Sequence, residues 1–264
     1  MFNPKKENHK TAVILCGGKG SRLGPLSKKL PKSLVLIKKK PIIWYILKNL
    51  KKNGFNHFIL PVGYKGRLIS NYISKTSQFK NYDIDIVNTG VEMPISHRIY
   101  KIKDLIKSSK FLLLNGDAIF DFNLKKIFNT QYKLKNILIT FLGTHANLPY
   151  GTIIIKDGLV QTFKRDIVYD SVIQSFTKDR SINYIYSGMA IIKSKLLTKE
   201  ILNFKNFELG FYSRIIKKKK CNFSLINGFW YSIDSMKDIN YLKSYKNRIA
   251  IDRIIKKLLQ KKSI

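Results

Sequence analysis

The sequence is poor in cysteine and has no long apolar segment. Its two cysteines, Cys16 and Cys221, stand far apart, so neither a disulfide framework nor a cysteine-based metal cluster is expected. No run reaches the roughly 18 apolar residues that a membrane-spanning helix needs. The first ten residues, MFNPKKENHK, lack the apolar core of a secretory signal. These absences predict a cytoplasmic protein in a reducing compartment.

Acidic residues are also scarce. The 264 residues include 16 Asp and Glu against 50 Lys and Arg, which gives a formal net charge of +34 and a pI near 10.1. Such a charge favours an anionic partner, either nucleic acid or a membrane surface. The abundance of Lys, Ile, Asn, Phe and Tyr also fits a bias towards AT-rich codons, although that bias does not account for the shortage of Glu. Composition leaves both explanations open.

The first half of the chain alternates apolar runs with amphipathic ones. Strands are predicted at 11–16, 55–63, 82–90 and 111–117. The helices predicted between them lie at 41–54, 66–75 and 98–107. This order predicts an α/β fold with a Rossmann-like, mostly parallel sheet and helices on both faces. Ligands in such sheets bind beyond the carboxyl ends of the strands, where a glycine-rich stretch and Asp117 both lie.

After about residue 145 the pattern becomes a small β-rich part. A hairpin is predicted around Asp157-Gly158, and a strand at 183–193 precedes a helix at 194–204. The segment 221–235 reads as strand, turn and short apolar run. The remaining tail is basic and amphipathic, and we expect it to be helical.

The glycine-rich stretch, LCGGKGSRLGPLSKKLPKSL at 15–34, contains four glycines, one arginine and four lysines. Glycines let backbone N–H groups approach phosphate oxygens closely, while Arg22 offers a fork of donors and Lys32 a movable charge. The spacing excludes a Walker loop. It also misses the last spacing of a dinucleotide fingerprint by one residue, and no acidic residue follows at the distance which that fingerprint requires. Lys28 and Lys29 are more typical of a solvated loop surface.

The stretch 12–47, AVILCGGKGSRLGPLSKKLPKSLVLIKKKPIIWYIL, resembles the N-terminal signature of the sugar-1-phosphate nucleotidyltransferases. GYKG, NTG, NGD and GFWYSIDSMKD follow in family order, up to about residue 245. PIIWYI, GYKG, NTG and GFW are similar to the glucose-1-phosphate cytidylyltransferase branch. The resemblance implies that a nucleoside triphosphate, with CTP favoured, condenses with a sugar 1-phosphate to give a nucleotide-sugar and pyrophosphate. GTP, UTP and a non-sugar phosphorylated acceptor remain alternatives.

The resemblance also implies a set of site residues. Arg22, Lys32 and Asp117 take catalytic roles, and Asp117 and Asp234 hold Mg²⁺, a hard ion that prefers oxygen ligands. The residues implied in nucleotide binding are Leu15, Gly17, Gly18, Gly20, Ser21, Arg22, Thr89, Gly90 and Gly116. Those implied in acceptor binding are Arg98, Gly151, Lys164 and Gly188. Two alternatives stay open, namely helix or turn capping for the aspartates and an ordinary turn at 88–90.

The acceptor side departs from the family pattern. Ser96 and His97 stand where relatives have a glycine pair, and His97 either touches a bound phosphate or begins a helix half-exposed. FKRDI at 163–167 replaces a Glu-Lys pair, and 186–188 reads Tyr-Ser-Gly where relatives often have Asn-Gly-Gly. These changes leave glucose, mannose, heptose and amino-sugar 1-phosphates open as acceptors.

The resemblance divides the chain into an N-terminal tail at 1–10, a nucleotidyltransferase domain at 11–246 and a basic C-terminal helix at 247–264. Within the domain, we expect a nucleotide-binding half at 11–145 and an acceptor half at 146–246. A competing hypothesis is an inactive basic module that binds RNA or an anionic membrane through an apolar face of the tail, made of Ile254, Ile255, Leu258 and Leu259. The favoured account of that face is packing on its own domain or against a second subunit in a homo-oligomer. Nucleic acid is disfavoured because the aromatic residues fall in predicted core positions.

Overall fold

A computed structural model of the chain describes residues 9–147, 152–156, 159–164, 168–169, 172–173 and 182–260. The strands are β1 (Thr11–Leu15), β2 (Leu36–Ile37), β3 (Lys40–Pro41), β4 (His57–Val62), β5 (Asp83–Asn88), β6 (Lys110–Asn115), β7 (Ala118–Phe122), β8 (Ile139–Thr144), β9 (Ala146–Asn147), β10 (Thr152–Lys156), β11 (Leu159–Lys164), β12 (Val168–Tyr169), β13 (Val172–Ile173), β14 (Ile182–Asn183), β15 (Ile185–Lys193), β16 (Cys221–Leu225) and β17 (Gly228–Ser232). The α-helices are α1 (Pro25–Lys29), α2 (Ile42–Lys52), α3 (Gly66–Lys75), α4 (Ile95–Lys101), α5 (Leu124–Lys133), α6 (Ser213–Ile216), α7 (Met236–Lys243) and α8 (Tyr245–Leu259).

The central sheet has seven strands in the order β16-β8-β15-β6-β1-β4-β5. Strands β6, β1, β4 and β5 run parallel, while β15 is antiparallel to both of its neighbours. The register pairs Leu15 with Asn115 at the carboxyl ends of β1 and β6. The glycine-rich loop and the turn that carries Asp117 therefore leave the same edge of the sheet side by side.

Alternate residues of the inner strands enter two separate apolar clusters. In β1, Ala12 and Ile14 face one cluster, which α2, α3, α5, α7 and α8 complete. Val13 faces the other cluster, together with residues of α4 and α6. A strand that buries both faces needs an uninterrupted apolar run, which is what 12–15 provides. The predicted mostly parallel sheet with helices on both faces is confirmed.

Two helix predictions differ from the structure, one in part and one entirely. The segment 98–107 contains the end of α4 and then a 3₁₀ turn, Lys103–Leu105. The helix predicted at 194–204 is wrong, because this segment forms two 3₁₀ turns, Ser194–Leu196 and Lys199–Asn203. The predicted hairpin is present as the antiparallel pair β10–β11, and its turn at 157–158 lies outside the described residues.

The basic tail forms α8 and packs on its own domain. Ile251, Ile254 and Leu258 are buried in the first cluster and Ile255 packs against it, whereas Leu259 is exposed. Lys257 forms an ion pair with Asp121 of β7. The apolar face proposed for a lipid or RNA surface is thus largely used inside the fold. Among the described residues, no helix has both the length and the apolar character to cross a bilayer.

The β2–β3 hairpin has an unfavourable two-residue turn. Lys38 and Lys39 both have positive φ, 49° and 64°, where a Cβ is disfavoured and glycine is not. We expect Lys39→Gly to raise the free energy of unfolding by about 1 kcal/mol, measured by urea denaturation. Lys39→Ala removes the same charge but keeps the Cβ, so it serves as the control. A glycine variant no more stable than the alanine variant would contradict the strained turn.

Candidate active site

A cavity of about 540 Å³ opens at the carboxyl ends of β1 and β6, within the range of small-molecule sites. The sequence-predicted residues that line it are Leu15, Gly17, Gly18, Gly20, Arg22, Lys32, Arg98, Gly116 and Asp117. Its opposite wall is the loop after β5, residues 91–93, with Ile95 at the start of α4. One cavity therefore collects side chains from three separate parts of the sequence.

In this site, one lysine joins the two predicted metal ligands. Lys32 Nζ lies 2.6 Å from Asp117 Oδ2 and 2.6 Å from Asp234 Oδ1. Arg22 Nη2 contacts the same Asp234 oxygen at 3.0 Å. The Lys32 and Asp117 side chains are 15% and 20% exposed, whereas Arg22 is 76% exposed. Arg22 is therefore free to turn towards a bound anion, while Lys32 is held in place.

A two-stranded ribbon brings the aspartates together. β7 starts directly after Asp117 and pairs antiparallel with β17, which ends shortly before Asp234. The backbone N–H of Ile233 donates to Asp117 O at 2.9 Å. The two carboxylates, far apart in sequence, are therefore fixed as neighbours by a strand pair.

The alternative role of Asp234 as a helix cap is not observed. Ser235 is the N-cap of α7, and it forms a capping box with Asp238. Burial alone would raise the pKa of Asp238, but hydrogen bonds from Ser235, the Asp234 backbone and Tyr231 outweigh burial and lower it. Because Asp238 serves the helix terminus, the Asp234 carboxylate remains available to the site.

The donor set fits a divalent cation that shares its coordination with a substrate. Among the described residues, no group of three or more His, Cys, Asp or Glu side chains converges on one point. The protein offers two carboxylates, which already surround one positive charge, the Lys32 ammonium. Mg²⁺ is commonly held by one or two carboxylates together with substrate phosphates and water. Asp117 and Asp234 match that pattern.

The predicted base-contact residues are partly committed to protein contacts. The Thr89 side chain is buried, and its hydroxyl donates to Val62 O at 2.8 Å while accepting from Arg98 at 2.6 Å. The N–H of Gly90 lies 3.1 Å from Asn88 Oδ1. Ser21 is exposed and lies beside Arg22 in the 3₁₀ turn Ser21–Leu23. The hydroxyl of Thr89 is thus not directed at the cavity.

On the acceptor side, Gly188 has the clearest structural reason to be glycine. Its φ is +71°, and a Cβ there would lie 2.6 Å from Asn115 Nδ2, a side chain that lines the cavity. Gly151 lies outside the described residues, and Lys164 is the last residue of β11. These acceptor assignments stay predictions.

The two residues that stand in place of a glycine pair do not line the cavity in the described structure. Ser96 is buried, and its hydroxyl donates to Phe204 O at 2.8 Å. His97 is half-buried near the start of α4, and its Nδ1 lies 3.2 Å from the Ser96 hydroxyl oxygen. Ser96 therefore ties α4 to Phe204, which ends the distant 3₁₀ turn Lys199–Asn203, instead of filling the site.

Several cavity residues were not anticipated from the sequence. Glu92 lines the wall and forms an ion pair with Lys19 of the glycine-rich loop, and this contact raises the pKa of Lys19. Ser33 and Asn115 also line the cavity. Cys16 lies there too, but burial raises the pKa of its thiol to about 12, so it is not a nucleophile. The sequence did hold one signal for Glu92, namely its position two residues beyond the NTG element, which was itself predicted to contact the nucleotide.

Comparison with known proteins identifies the family. Residues 11–165 match the family described as Nucleotidyl transferase, and the chain belongs to it. The chain is 33% identical over 181 residues to a probable glucose-1-phosphate cytidylyltransferase of Bacillus subtilis (strain 168), covering 61% of this chain and 71% of the relative. It is 29% identical over 213 residues to the D-glycero-alpha-D-manno-heptose 1-phosphate guanylyltransferase of Aneurinibacillus thermoaerophilus, covering 79% and 86%.

The fold is likewise that of known transferases. The structure of the inositol-1-phosphate CTP transferase from T. maritima matches with a TM-score of 0.65 at 16% identity, covering 94% of this chain and 96% of that one. The family match and the curated relatives confirm the family predicted from the motifs, and the chain is a sugar-1-phosphate nucleotidyltransferase.

Proposed function

We propose that the chain transfers a nucleotidyl group from CTP to a sugar 1-phosphate, releasing pyrophosphate, with Mg²⁺ as cofactor. The observation that carries this proposal is the convergence of Lys32, Asp117 and Asp234 at the end of a glycine-lined cavity. Two anions must meet in such a reaction, so the site has to position them and neutralise their charge. The residues present supply both functions.

Each side chain has a distinct task in this proposal. The attacking phosphate oxygen is already ionised, so the reaction needs no general base. Lys32, held by two carboxylates, places a fixed positive charge beside the triphosphate, and Arg22 adds a mobile fork of donors. Mg²⁺, bound by Asp117 and Asp234, would neutralise phosphate charge and polarise the phosphorus. The glycine-rich loop supplies backbone N–H groups.

The choice of CTP has two supports. The Bacillus subtilis relative carries a cytidylyltransferase name, and the carboxylate of Glu92 lies on the wall opposite the glycine-rich loop. A carboxylate accepts a hydrogen bond from the exocyclic amine of cytosine. Guanine and adenine also carry such an amine, whereas uracil and thymine have none, so this contact separates CTP from UTP. GTP is the alternative that the heptose guanylyltransferase relative favours.

We propose the acceptor only as a class, that of phosphorylated small molecules. Within that class, a sugar 1-phosphate is favoured. Glucose, mannose, heptose and amino-sugar 1-phosphates remain open. A non-sugar acceptor is the alternative, because the segment 163–167 and residues 186–187 differ from the family pattern. The proposed product would be a nucleotide-sugar.

A nucleotide panel tests this proposal. Pyrophosphate release with Mg²⁺ should be highest with CTP, and kcat/KM for CTP should exceed that for UTP by at least about tenfold, the worth of one well-placed hydrogen bond. The assay uses each triphosphate with a pooled set of sugar 1-phosphates, and the product mass names the acceptor. A higher kcat/KM with UTP would overturn the base assignment, and no release with any nucleotide would count against the enzyme itself.

A further inference from the structure

Arg98 makes an unusually complete set of hydrogen bonds beneath the cavity. Its Nε donates to Met93 O at 2.9 Å. Nη1 donates to Thr89 Oγ1 at 2.6 Å and lies 3.4 Å from Val62 O, while Nη2 donates to Gly17 O at 3.3 Å and Val91 O at 2.8 Å. A guanidinium has five N–H groups, and five protein oxygens receive them.

These oxygens belong to three segments that are distant in sequence. Gly17 is in the loop after β1, Val62 ends β4, and the other three residues lie after β5. The two loops form opposite walls of the cavity that we propose for the nucleotide. One side chain therefore connects both walls to the edge of the sheet.

The five acceptors are neutral, although the guanidinium is charged and only 5% exposed. Burial lowers the pKa of Arg98, with an opposing contribution from Glu92, yet arginine stays protonated in proteins. A buried charge is costly unless its hydrogen bonds are excellent. Here four of the five bonds go to the loops after β1 and β5, and the fifth goes to the last residue of β4. These bonds therefore fix the geometry of the two loops relative to the sheet edge.

The surrounding backbone is shaped for this guanidinium. A Cβ on Gly17 would lie 2.2 Å from Arg98 Nη1, and one on Gly63 would lie 2.7 Å from the same atom. Side chains at either position would occupy the space of the arginine. The two glycines and Arg98 thus form one packed unit beside the cavity, which Arg98 and Gly17 themselves line.

We propose that Arg98 is a positioning residue that fixes both walls of the nucleotide cavity, and that nucleotide affinity and base discrimination depend on it. This differs from the acceptor-binding role expected from the sequence, since an acceptor phosphate would have to displace one of the five protein partners. The inference rests on the proposed function of the same site.

The test is Arg98→Lys, which keeps the charge but loses the fork and leaves at most three donors. We expect KM for the nucleotide to rise at least about tenfold, and the preference for the best over the second-best nucleotide to fall by a similar factor. KM for the acceptor and kcat should change less than about threefold. Arg214→Lys, an exposed residue paired with Glu200, is the matched control and should behave like wild type.

Two further measurements separate this inference from the proposed function. Amide hydrogen exchange of Arg98→Lys, without substrates, should become faster at residues 16–20 and 89–93, whether or not the protein turns over a sugar phosphate. Thr89→Val removes one acceptor while keeping the arginine, and should raise the nucleotide Kd about threefold in calorimetry with no acceptor present. If Arg98→Lys fails to fold, the Thr89→Val variant still tests the positioning role.

The outcomes are distinct. A rise in acceptor KM alone, or unchanged exchange in both loops, would overturn the positioning role. If the wild type binds no nucleotide at all, the proposed function fails. The hydrogen-exchange result would then still decide whether Arg98 holds the two loops together.

Discussion

Asp117→Asn is expected to lower kcat for pyrophosphate release by about 10³-fold. The amide keeps the size of the side chain and can still accept from Lys32, but it removes one of two negative charges that we propose for Mg²⁺. The loss should persist at saturating substrate, because a missing cation weakens charge neutralisation in the transition state. Asp117→Ala should have at least as large an effect, with the fold retained. Steady-state kinetics with a magnesium titration measures both.

Asp121→Asn is a closely matched control for this substitution. Asp121 lies four residues further along, in β7, is 19% exposed compared with 20% for Asp117, and pairs with Lys257 instead of Lys32. We expect its kcat to stay within about twofold of wild type, because exposed or partly exposed ion pairs contribute little. Equal losses in the two variants, or a fully active Asp117→Asn, would remove Asp117 from the catalytic machinery.

The sheet could be predicted because its signals are local. The run TAVIL, a helix start at Pro41 and the glycines after each strand are short patterns with direct physical causes. The helix predicted at 194–204 failed for a nonlocal reason. Leu197 and Ile201 have helical spacing, but both are buried in the second cluster against α4, and the backbone bonds there join residues three apart, as in Ile201 to Thr198. Packing overrode the local pattern.

The residues of the candidate site likewise fall into two groups, those that local sequence motifs predict and those that only the folded structure reveals. Arg22, Lys32 and Asp117 stand in motifs, so the sequence alone makes them candidates, and the structure brings all three to one cavity. The role of Arg98 does not follow from its motif, because four of its five partners are backbone carbonyls, which carry no residue signature. Glu92 differs, because its position two residues beyond NTG was a weak signal, although only the loop conformation brings it to the cavity wall. Contacts made through the backbone require the folded structure.

Gly63→Ala should be the most destabilising single-methyl change at this site. The added Cβ would lie 2.3 Å from Gly90 O and 2.8 Å from Gly17 O, both backbone atoms that cannot rotate away. Relief requires the loops after β1, β4 and β5 to separate, and overpacking of this kind costs about 3 kcal/mol. Urea denaturation measures the loss of unfolding free energy.

Gly18→Ala is the control for that measurement, because a Cβ there meets nothing within 4 Å and the residue is exposed. Its stability should change by less than about 0.5 kcal/mol. Equal stability of the two variants would mean that the three loops do not approach as closely as described. If Gly63→Ala is destabilised but still folds at low temperature, its nucleotide affinity should also fall, because the loops that must separate are the ones Arg98 holds together.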